Sequence, residues 1–412
     1  MKHDGIAQAS IIILQNILNG CNANKAVNDW SKSNRFAGSS DKFLIRDLVF
    51  SGLRRKNSCF FIFRKFGLPQ DSRCVIMITI ADLGYDIHQF FTSSKHGPKK
   101  LNSFEKKALI EKKELLKKSK NFEKYDFPEF LENELKSSLG IFFESFLEFS
   151  KFRAPLFIRI NKIKTSLDLV EKKLSLENIK TKRLVNIKNC LQIINNQRKV
   201  KNSSLYKNGF FEIQDASSQS VVNFIFENLS SQNTKIKVLD YCAGSGGKTL
   251  AFASNLKGFG SFFAYDYYSF RIKNLNERLI RSGVKCTVLK ENDILKNKFF
   301  FDVVIVDVPC SGSGTWRRNP ELKWDLNENK FKKILSVQQR ILLSASNLIN
   351  NNGIIAYITC SVLDIENINQ INYFLNINEN FKLLKEKKIF CDFGGDGFYV
   401  AILKKNNLCI EL

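Results

Sequence analysis

From about Gln214 onward, short apolar runs alternate with amphipathic stretches: Lys237–Asp240, Phe262–Tyr265, Thr287–Leu289, Asp302–Val306, Ile354–Thr359 and Phe398–Ile402. Nothing else in the chain restricts its fold as strongly. Two parallel strands need a crossover of a dozen or more residues between them, and an amphipathic helix is the usual filler. Runs that are apolar throughout, rather than at every second position, suit strands covered on both faces. The expectation is an α/β region over 214–412 with a mostly parallel sheet and helices on either side.

The rest of the chain reads differently. Residues 1–135 carry apolar positions at helical spacing, such as Ile45, Leu48, Val49, Gly52 and Leu53 after a cap at Ser40 or Asp41, and form an all-α domain. Between Lys95 and Lys124 a loop at Pro98 leads into an exposed helix rich in Lys and Glu. Over 136–213 the β-like runs Leu156–Ile160 and Phe210–Ile213 flank a helix-compatible stretch from Asp168 to Lys182, which reads as a small α+β connector. Three domains fit a length of 412 residues, beyond what one core supports.

The formal net charge is +24, enough to gather a polyanion through a long-range field, so nucleic acid is the natural partner. Against this stands a bland alternative, a compositionally biased genome with solvated charged faces. No run approaches the roughly 18 apolar residues of a membrane span, and Met1-Lys2-His3-Asp4 opens no signal-peptide core, so a soluble cytoplasmic protein without membrane contact is expected. The ten cysteines are scattered, with no C-x-x-C pair and only three histidines, which argues against zinc, any other metal and a disulfide framework. Most of them should be buried small hydrophobes.

After the first strand of the α/β region comes Asp240-Tyr-Cys-Ala-Gly-Ser-Gly-Gly-Lys-Thr249, a glycine-rich turn opening into a helix. Small residues at such a strand end let backbone approach a ligand closely. The turn is no P-loop, because that pattern needs glycine where Cys242 stands, and Thr249 replaces the last glycine of G-x-G-x-x-G. Asp266 follows the next strand, where a carboxylate accepts hydrogen bonds from ribose hydroxyls; a dinucleotide enzyme has the same residue. The third strand leads to Asn292-Asp293, which reads equally as a helix cap. The fourth leads to Asp307-Val-Pro-Cys-Ser-Gly-Ser-Gly314, and hydride transfer has no use for that thiol.

Asp307-Val-Pro-Cys310, Arg317-Arg-Asn-Pro-Glu-Leu-Lys-Trp324 and Tyr357-Ile-Thr-Cys-Ser361 followed by Glu366-Asn367 together resemble the bacterial rRNA cytosine-5 methyltransferases of the Fmu/Sun (RsmB/NOP) family. The resemblance implies a Rossmann-like methyltransferase core binding S-adenosyl-L-methionine. It assigns nucleophilic attack on cytosine carbon-6 to Cys360, help in breaking down the adduct to Cys310, and a contact with the base edge to Asp307. A thiolate suits this task because carbon-5 is not nucleophilic until something adds at carbon-6. The loop of Cys242, Ala243, Gly244, Ser245, Gly246, Gly247 and Lys248 would wrap the donor, with Asp266 on ribose, Asp293 near adenine and Asp307 closing the pocket. Relatives read Cys-Ala-Ala-Pro-Gly-Gly-Lys in this loop, so Gly244 and Ser245 put its stiffness in question.

Residues 1–135, above all Asp41 to Arg55, resemble a NusB-like RNA-binding domain, which points to small-subunit rRNA as substrate; a monomer is expected. Arg54 and Arg55 are phosphate contacts or helix-end charges. Arg159 and Gln214–Gln219 match the family's connector, which seats RNA against the core or is purely structural. Arg317, Arg318 and Trp324 engage an unstacked nucleotide or simply pack. Four rival readings stay open: a tRNA cytosine-5 methyltransferase of the same family, attack by Cys310 instead of Cys360, a P-loop-type nucleotidase, and a non-catalytic RNA-binding assembly factor.

Overall fold

A computed structural model describes residues 1–229, 235–296, 298, 300–390 and 394–406. The chain forms two compact units, Met1–Arg153 with Thr315–Glu328, and Ala154–Gly314 with Asn329–Leu412. The first is mostly helical; the second carries two sheets.

In the helical unit, Ile45, Leu48, Val49 and Leu53 of helix Ser39–Arg54 are all buried in one core with helices His3–Leu18 and Ser72–Asp82. Gly52 sits where two helices touch: a Cβ there would lie 2.8 Å from Val75 Cγ1. The expected cap is displaced. Gly38 is the N-cap, and Asp41 acts from the third helical position, accepting from Gly38 N at 2.9 Å. Helix Ser103–Lys117 lies inside the Lys- and Glu-rich stretch, opened by Asn102, which accepts from Glu105 N at 2.8 Å while the Glu105 carboxylate accepts from Asn102 N at 2.9 Å.

The segment Thr315–Glu328 completes the C-terminal end of helix Ser39–Arg54. The last carbonyls of a helix have no partner within it. Trp324 Nε1 donates to Leu53 O at 2.7 Å, Lys323 Nζ to Arg54 O at 3.3 Å, and Arg54 Nε returns a bond to Arg317 O at 2.7 Å. Arg54, Arg317 and Lys323 are buried, and burial pushes the Lys323 ammonium down to about 7. Arg54 is therefore no phosphate contact, and Arg317 and Trp324 pack instead of facing a nucleotide: Arg317 lies over the Phe149 ring at 4.2 Å. Arg55 is half-buried, 3.7 Å from Asp82, and Arg318 keeps partial exposure.

The second unit opens with a four-stranded sheet of order β2-β3-β1-β4, from β1 (Leu156–Ile160), β2 (Thr181–Arg183), β3 (Cys190–Ile193) and β4 (Phe211–Ile213). The larger sheet holds β5 (Lys237–Asp240), β6 (Ser261–Ala264), β7 (Cys286–Val288), β8 (Phe301–Asp307), β9 (Ile349–Thr359), β10 (Phe381–Ile389) and β11 (Phe398–Lys405), in the order β10-β11-β9-β8-β5-β6-β7. From β7 to β9 through β5 every pairing is parallel; β11 pairs antiparallel with β9 and β10. Alternate residues serve opposite cores: Val238, Ile354, Ala356 and Ile358 on one face, Leu239, Ile355 and Tyr357 on the other. This is the mostly parallel sheet that the alternation implied and the Rossmann-like core that the resemblance implied. Strand β10 was not foreseen, because its Lys-rich Phe381–Ile389 is an exposed edge without an apolar pattern.

Of the described cysteines, Cys59, Cys74 and Cys190 are buried, Cys242, Cys286, Cys310 and Cys360 are partly buried and Cys21 is exposed, so fewer are core thiols than expected. Cys391 and Cys409 lie outside the described residues. No helix among the described residues is long and apolar enough to cross a membrane.

Replacing Trp324 by Phe keeps the ring but deletes the donor to Leu53 O, leaving a helix-end carbonyl without its partner. Urea unfolding should show a loss of about 1–3 kcal/mol. A loss below about 0.3 kcal/mol would mean that the bond does not hold the segment in place.

Candidate active site

Strand order reverses at β5: β6 and β7 extend to one side, and β8 then returns to the other. The loops leaving β5 and β8 diverge there, and ligands of open parallel sheets sit in the crevice between such loops. The glycine-rich turn follows β5, Cys310 follows β8 and Cys360 follows β9. Parallel pairing brings all three to one edge.

The turn is fixed at both ends. Asp240 Oδ2 accepts from Thr249 N at 3.0 Å and Thr249 Oγ1 at 2.6 Å, tying the last residue of β5 to the first turn of helix Gly247–Asn255. Between them Gly244 and Gly246 adopt φ of +49° and +81°, a conformation that side chains disfavour. At Gly246 a Cβ would also meet Leu275 Cδ1 at 2.2 Å. Asp266 is buried, with Oδ2 accepting from Gly244 N at 3.0 Å and Oδ1 from Tyr268 N at 2.9 Å. A Cβ at Gly244 would stand 4.0 Å from Asp266 Oδ2, so bare backbone faces the carboxylate. That donor set fits a nucleoside: a carboxylate for the ribose diol beside a glycine turn and a helix N-terminus.

Lys248 is buried and its Nζ donates to Asp307 Oδ2 at 2.8 Å. Burial alone would lower its pKa, but Asp307, Asp240 and Cys360 together raise it. Burial pushes the Cys242 thiol well up, with Asp240, Asp307 and Asp266 adding to the effect, so it is a poor nucleophile. Asp293 follows β7 as expected, but its Oδ2 accepts from Lys290 N at 2.9 Å, the helix-opening role read as its alternative.

Cys310 and Cys360 meet, Sγ to Sγ, at 3.2 Å. The contact with Cys360, reinforced by burial, holds the Cys310 thiol well above its ordinary pKa. The two loops are joined by backbone, with Gly314 N donating to Cys360 O at 3.0 Å, and by one buried carboxylate. Glu366 Oε1 accepts from Ser311 N at 2.7 Å and Gln338 Nε2 at 3.0 Å, and Oε2 accepts from the hydroxyls of Ser311 and Ser361. Thus the residue after each cysteine is bound to the same side chain. Burial pushes the Glu366 carboxyl up despite these four bonds.

The structure brings together the loops that the sequence singled out, while two supporting residues went unassigned and a third took its structural alternative. Asp240 and Glu366 stood inside quoted motifs without a role, and their only signal was a carboxylate in an otherwise small or apolar setting. Arg159, read as an RNA-seating or structural residue, is buried in β1 with Nε donating to Gln214 Oε1 at 2.6 Å, and Gln214 Nε2 donates to Gly247 O at 3.1 Å. Both therefore support the glycine turn. No group of three or more His, Cys, Asp and Glu side chains among the described residues is placed to hold a metal.

Residues 227–403 match the family model for the 16S rRNA methyltransferase RsmB/F. The chain is 29% identical over 266 residues to a probable ribosomal RNA small subunit methyltransferase B of Synechocystis sp., covering 63% of this chain and 58% of that one. It is 28% identical over 298 residues to the ribosomal RNA small subunit methyltransferase B of Pasteurella multocida, covering 68% and 65%. These matches span about three-fifths of those relatives' length. A longer match, 25% identical over 389 residues, covers 89% of this chain and 90% of the Proteus mirabilis ribosomal RNA small subunit methyltransferase B. The fold is shared with the crystal structure of PH0851, at a TM-score of 0.75, 23% identity and coverage of 98% and 99%. A methyltransferase homolog protein from Pyrococcus horikoshii shares it at a TM-score of 0.59, 21% identity and coverage of 69% and 97%.

Two outcomes are expected. Glu366→Ala leaves two hydroxyls, an amide and a backbone N–H without their acceptor and should lose about 3 kcal/mol or more in denaturant unfolding, while Glu366→Gln, which keeps one acceptor, loses less. Equal small losses would show that the cysteine loops do not depend on this carboxylate. Asp240, whose buried carboxyl is pushed up to about 6 from 3.8, holds its proton in the fold after the unfolded chain has lost its own. Stability from this residue is therefore present below about pH 4 and lost as pH rises to 6, a change of roughly 3 kcal/mol. Asp240→Asn should gain in thermal midpoint relative to wild type between pH 4 and 7, and parallel pH curves would contradict this.

Proposed function

We propose, starting from a core that is a methyltransferase domain of the RsmB/F, or Fmu/Sun, family, that this chain methylates carbon-5 of a cytosine in RNA, with small-subunit rRNA as the substrate. The observation that carries this reading is the pair of sulfurs 3.2 Å apart beside a nucleoside-shaped glycine turn. A nucleoside-binding enzyme of another class needs the turn and Asp266 but not two thiols at adjacent strand ends. The enzyme works in the cytoplasm, and the helical unit serves as its RNA-binding domain.

Bound S-adenosyl-L-methionine supplies an electrophilic methyl group on a sulfonium. The residues that hold it are Asp266 at the ribose, Cys242 to Lys248 around the remainder, Asp293 toward the adenine side and Asp307 at the pocket edge. Asp307 is anchored by Lys248, and its side chain keeps 31% exposure, which leaves it accessible to a base edge. The buried ammonium of Lys248 interacts electrostatically with Cys360.

Cys360 then adds to carbon-6: the sulfur–carbon bond forms, and the electrons of the carbon-5–carbon-6 double bond move to carbon-5, which becomes the nucleophile. Breakdown requires loss of the carbon-5 proton and cleavage of the sulfur–carbon bond, which restores the double bond and frees the Cys360 thiolate. Cys310 fits the proton step. The strongest influence keeping its thiol protonated is the contact with Cys360, and that contact changes once Cys360 is a thioether. Cys310 then passes its own proton to solvent, and the resulting thiolate accepts the carbon-5 proton.

With RNA and donor present, Cys310→Ala should accumulate a protein–RNA adduct that survives denaturation, while Cys360→Ala forms none and methylates no cytosine. The opposite pattern exchanges the two roles. Adducts and methylation unaffected by either change overturn the reading.

A further inference from the structure

The glycine turn has little stiffness of its own. Three of the five residues from Ala243 to Gly247 are glycine, none is proline, and Ser245 at the tip is exposed. Such a segment samples many conformations unless something outside it removes that freedom. Two tethers reach it, one beginning on β4 and the other on the residue after it. The Glu212 and Gln214 side chains, two positions apart along an extended chain, share one face. Gln214 holds Gly247 O at the base of the turn, as described above. The second tether runs through Arg278 of helix Leu275–Ser282.

Arg278 Nη1 donates to Ser245 O at 2.6 Å and to Ser245 Oγ at 2.9 Å. Its Nε and Nη2 donate to Glu212 Oε2 at 3.2 and 3.0 Å. Glu212 is 3% exposed, and its other oxygen accepts from Arg281 Nη2 at 2.5 Å, so the carboxylate is shared by two guanidinium groups. Arg281 lies over the Tyr206 ring at 4.2 Å. A planar guanidinium bound on one side to a fixed carboxylate cannot rotate freely, so its remaining N–H groups point in a set direction. Here they point at the tip of the turn.

We propose that Arg278 is a positioning residue for the methyl donor: anchored by Glu212, it holds Ser245 so that the backbone facing Asp266 is shaped before any ligand arrives. The inference rests on the reading of the turn as the donor site. It assigns to a side chain on a neighbouring helix the rigidity that the turn's own residues do not provide. Preorganisation of this kind appears in affinity, because a turn that is already shaped loses less freedom on binding.

The test uses the full chain carrying Arg278→Met, with Arg281→Met as a control that disturbs Glu212 but not Ser245. Without ligand, hydrogen exchange of amides in residues 243–248 should speed up about tenfold in Arg278→Met and stay near wild type in Arg281→Met. Calorimetric titration with S-adenosylhomocysteine should show about fivefold weaker binding in Arg278→Met, less than twofold in Arg281→Met, and partial recovery in Arg278→Lys. A merely structural role would instead lower the thermal midpoint of both variants alike and leave exchange in the turn unselective. Unchanged exchange, unchanged affinity, or equal effects of the two substitutions overturns the proposal. Wild-type protein that binds neither S-adenosylmethionine nor S-adenosylhomocysteine overturns the donor-site reading itself.

Discussion

One buried carboxylate holds the two cysteine loops together. Glu366 binds the residue after Cys310 and the residue after Cys360, and a strand-end loop without such a brace has no reason to keep a sulfur within 3.2 Å of another. The arrangement is expensive in solvation, which is why the carboxyl is pushed up, and it is stable only because four donors converge on it. Each of its two oxygens takes two of these donors. The loops are thus held by mutual satisfaction of polar atoms more than by apolar packing.

The sheet decides which loops can meet. Because β8 returns beside β5 on the side opposite β6, the turn after β5 and the Pro-Cys loop after β8 open at a single crevice, with the Thr-Cys loop one strand further. Charge then grades that crevice. Asp240 and Asp307 flank the buried Lys248 ammonium, Cys360 feels the same ammonium, and Cys310 is kept as a thiol.

A net charge of +24 says less about the surface than it first suggests. In the helical unit Arg54, Arg317 and Lys323 are buried, two of them donating to helix-end carbonyls or to the backbone of the Thr315–Glu328 segment. In the second unit Arg159 is buried as well, and Arg278 and Arg281 are mostly covered by their shared carboxylate. These cations are structural donors. The basic residues available to a polyanion are those that remain outside.

The sequence alone determined the alternation of strand and helix, the turn at Asp240–Thr249, the order of the strand ends and the two cysteine motifs, since each is a local pattern of residue type and spacing. It also gave Ile45, Leu48, Val49 and Leu53 as one helical face. Only the tertiary structure decided that Arg54 and Arg317 are buried and Trp324 is a packing partner, that β10 adds an edge strand, that Asp293 binds the Lys290 amide, and that Glu366 braces the cysteine loops while Asp240 and Arg278 bind the glycine turn. The reason is physical. Periodicity records which face of an element is apolar, whereas a buried polar residue is explained only by the donors that surround it, and those come from positions as distant as Ser311 and Glu366, or Arg54 and Arg317.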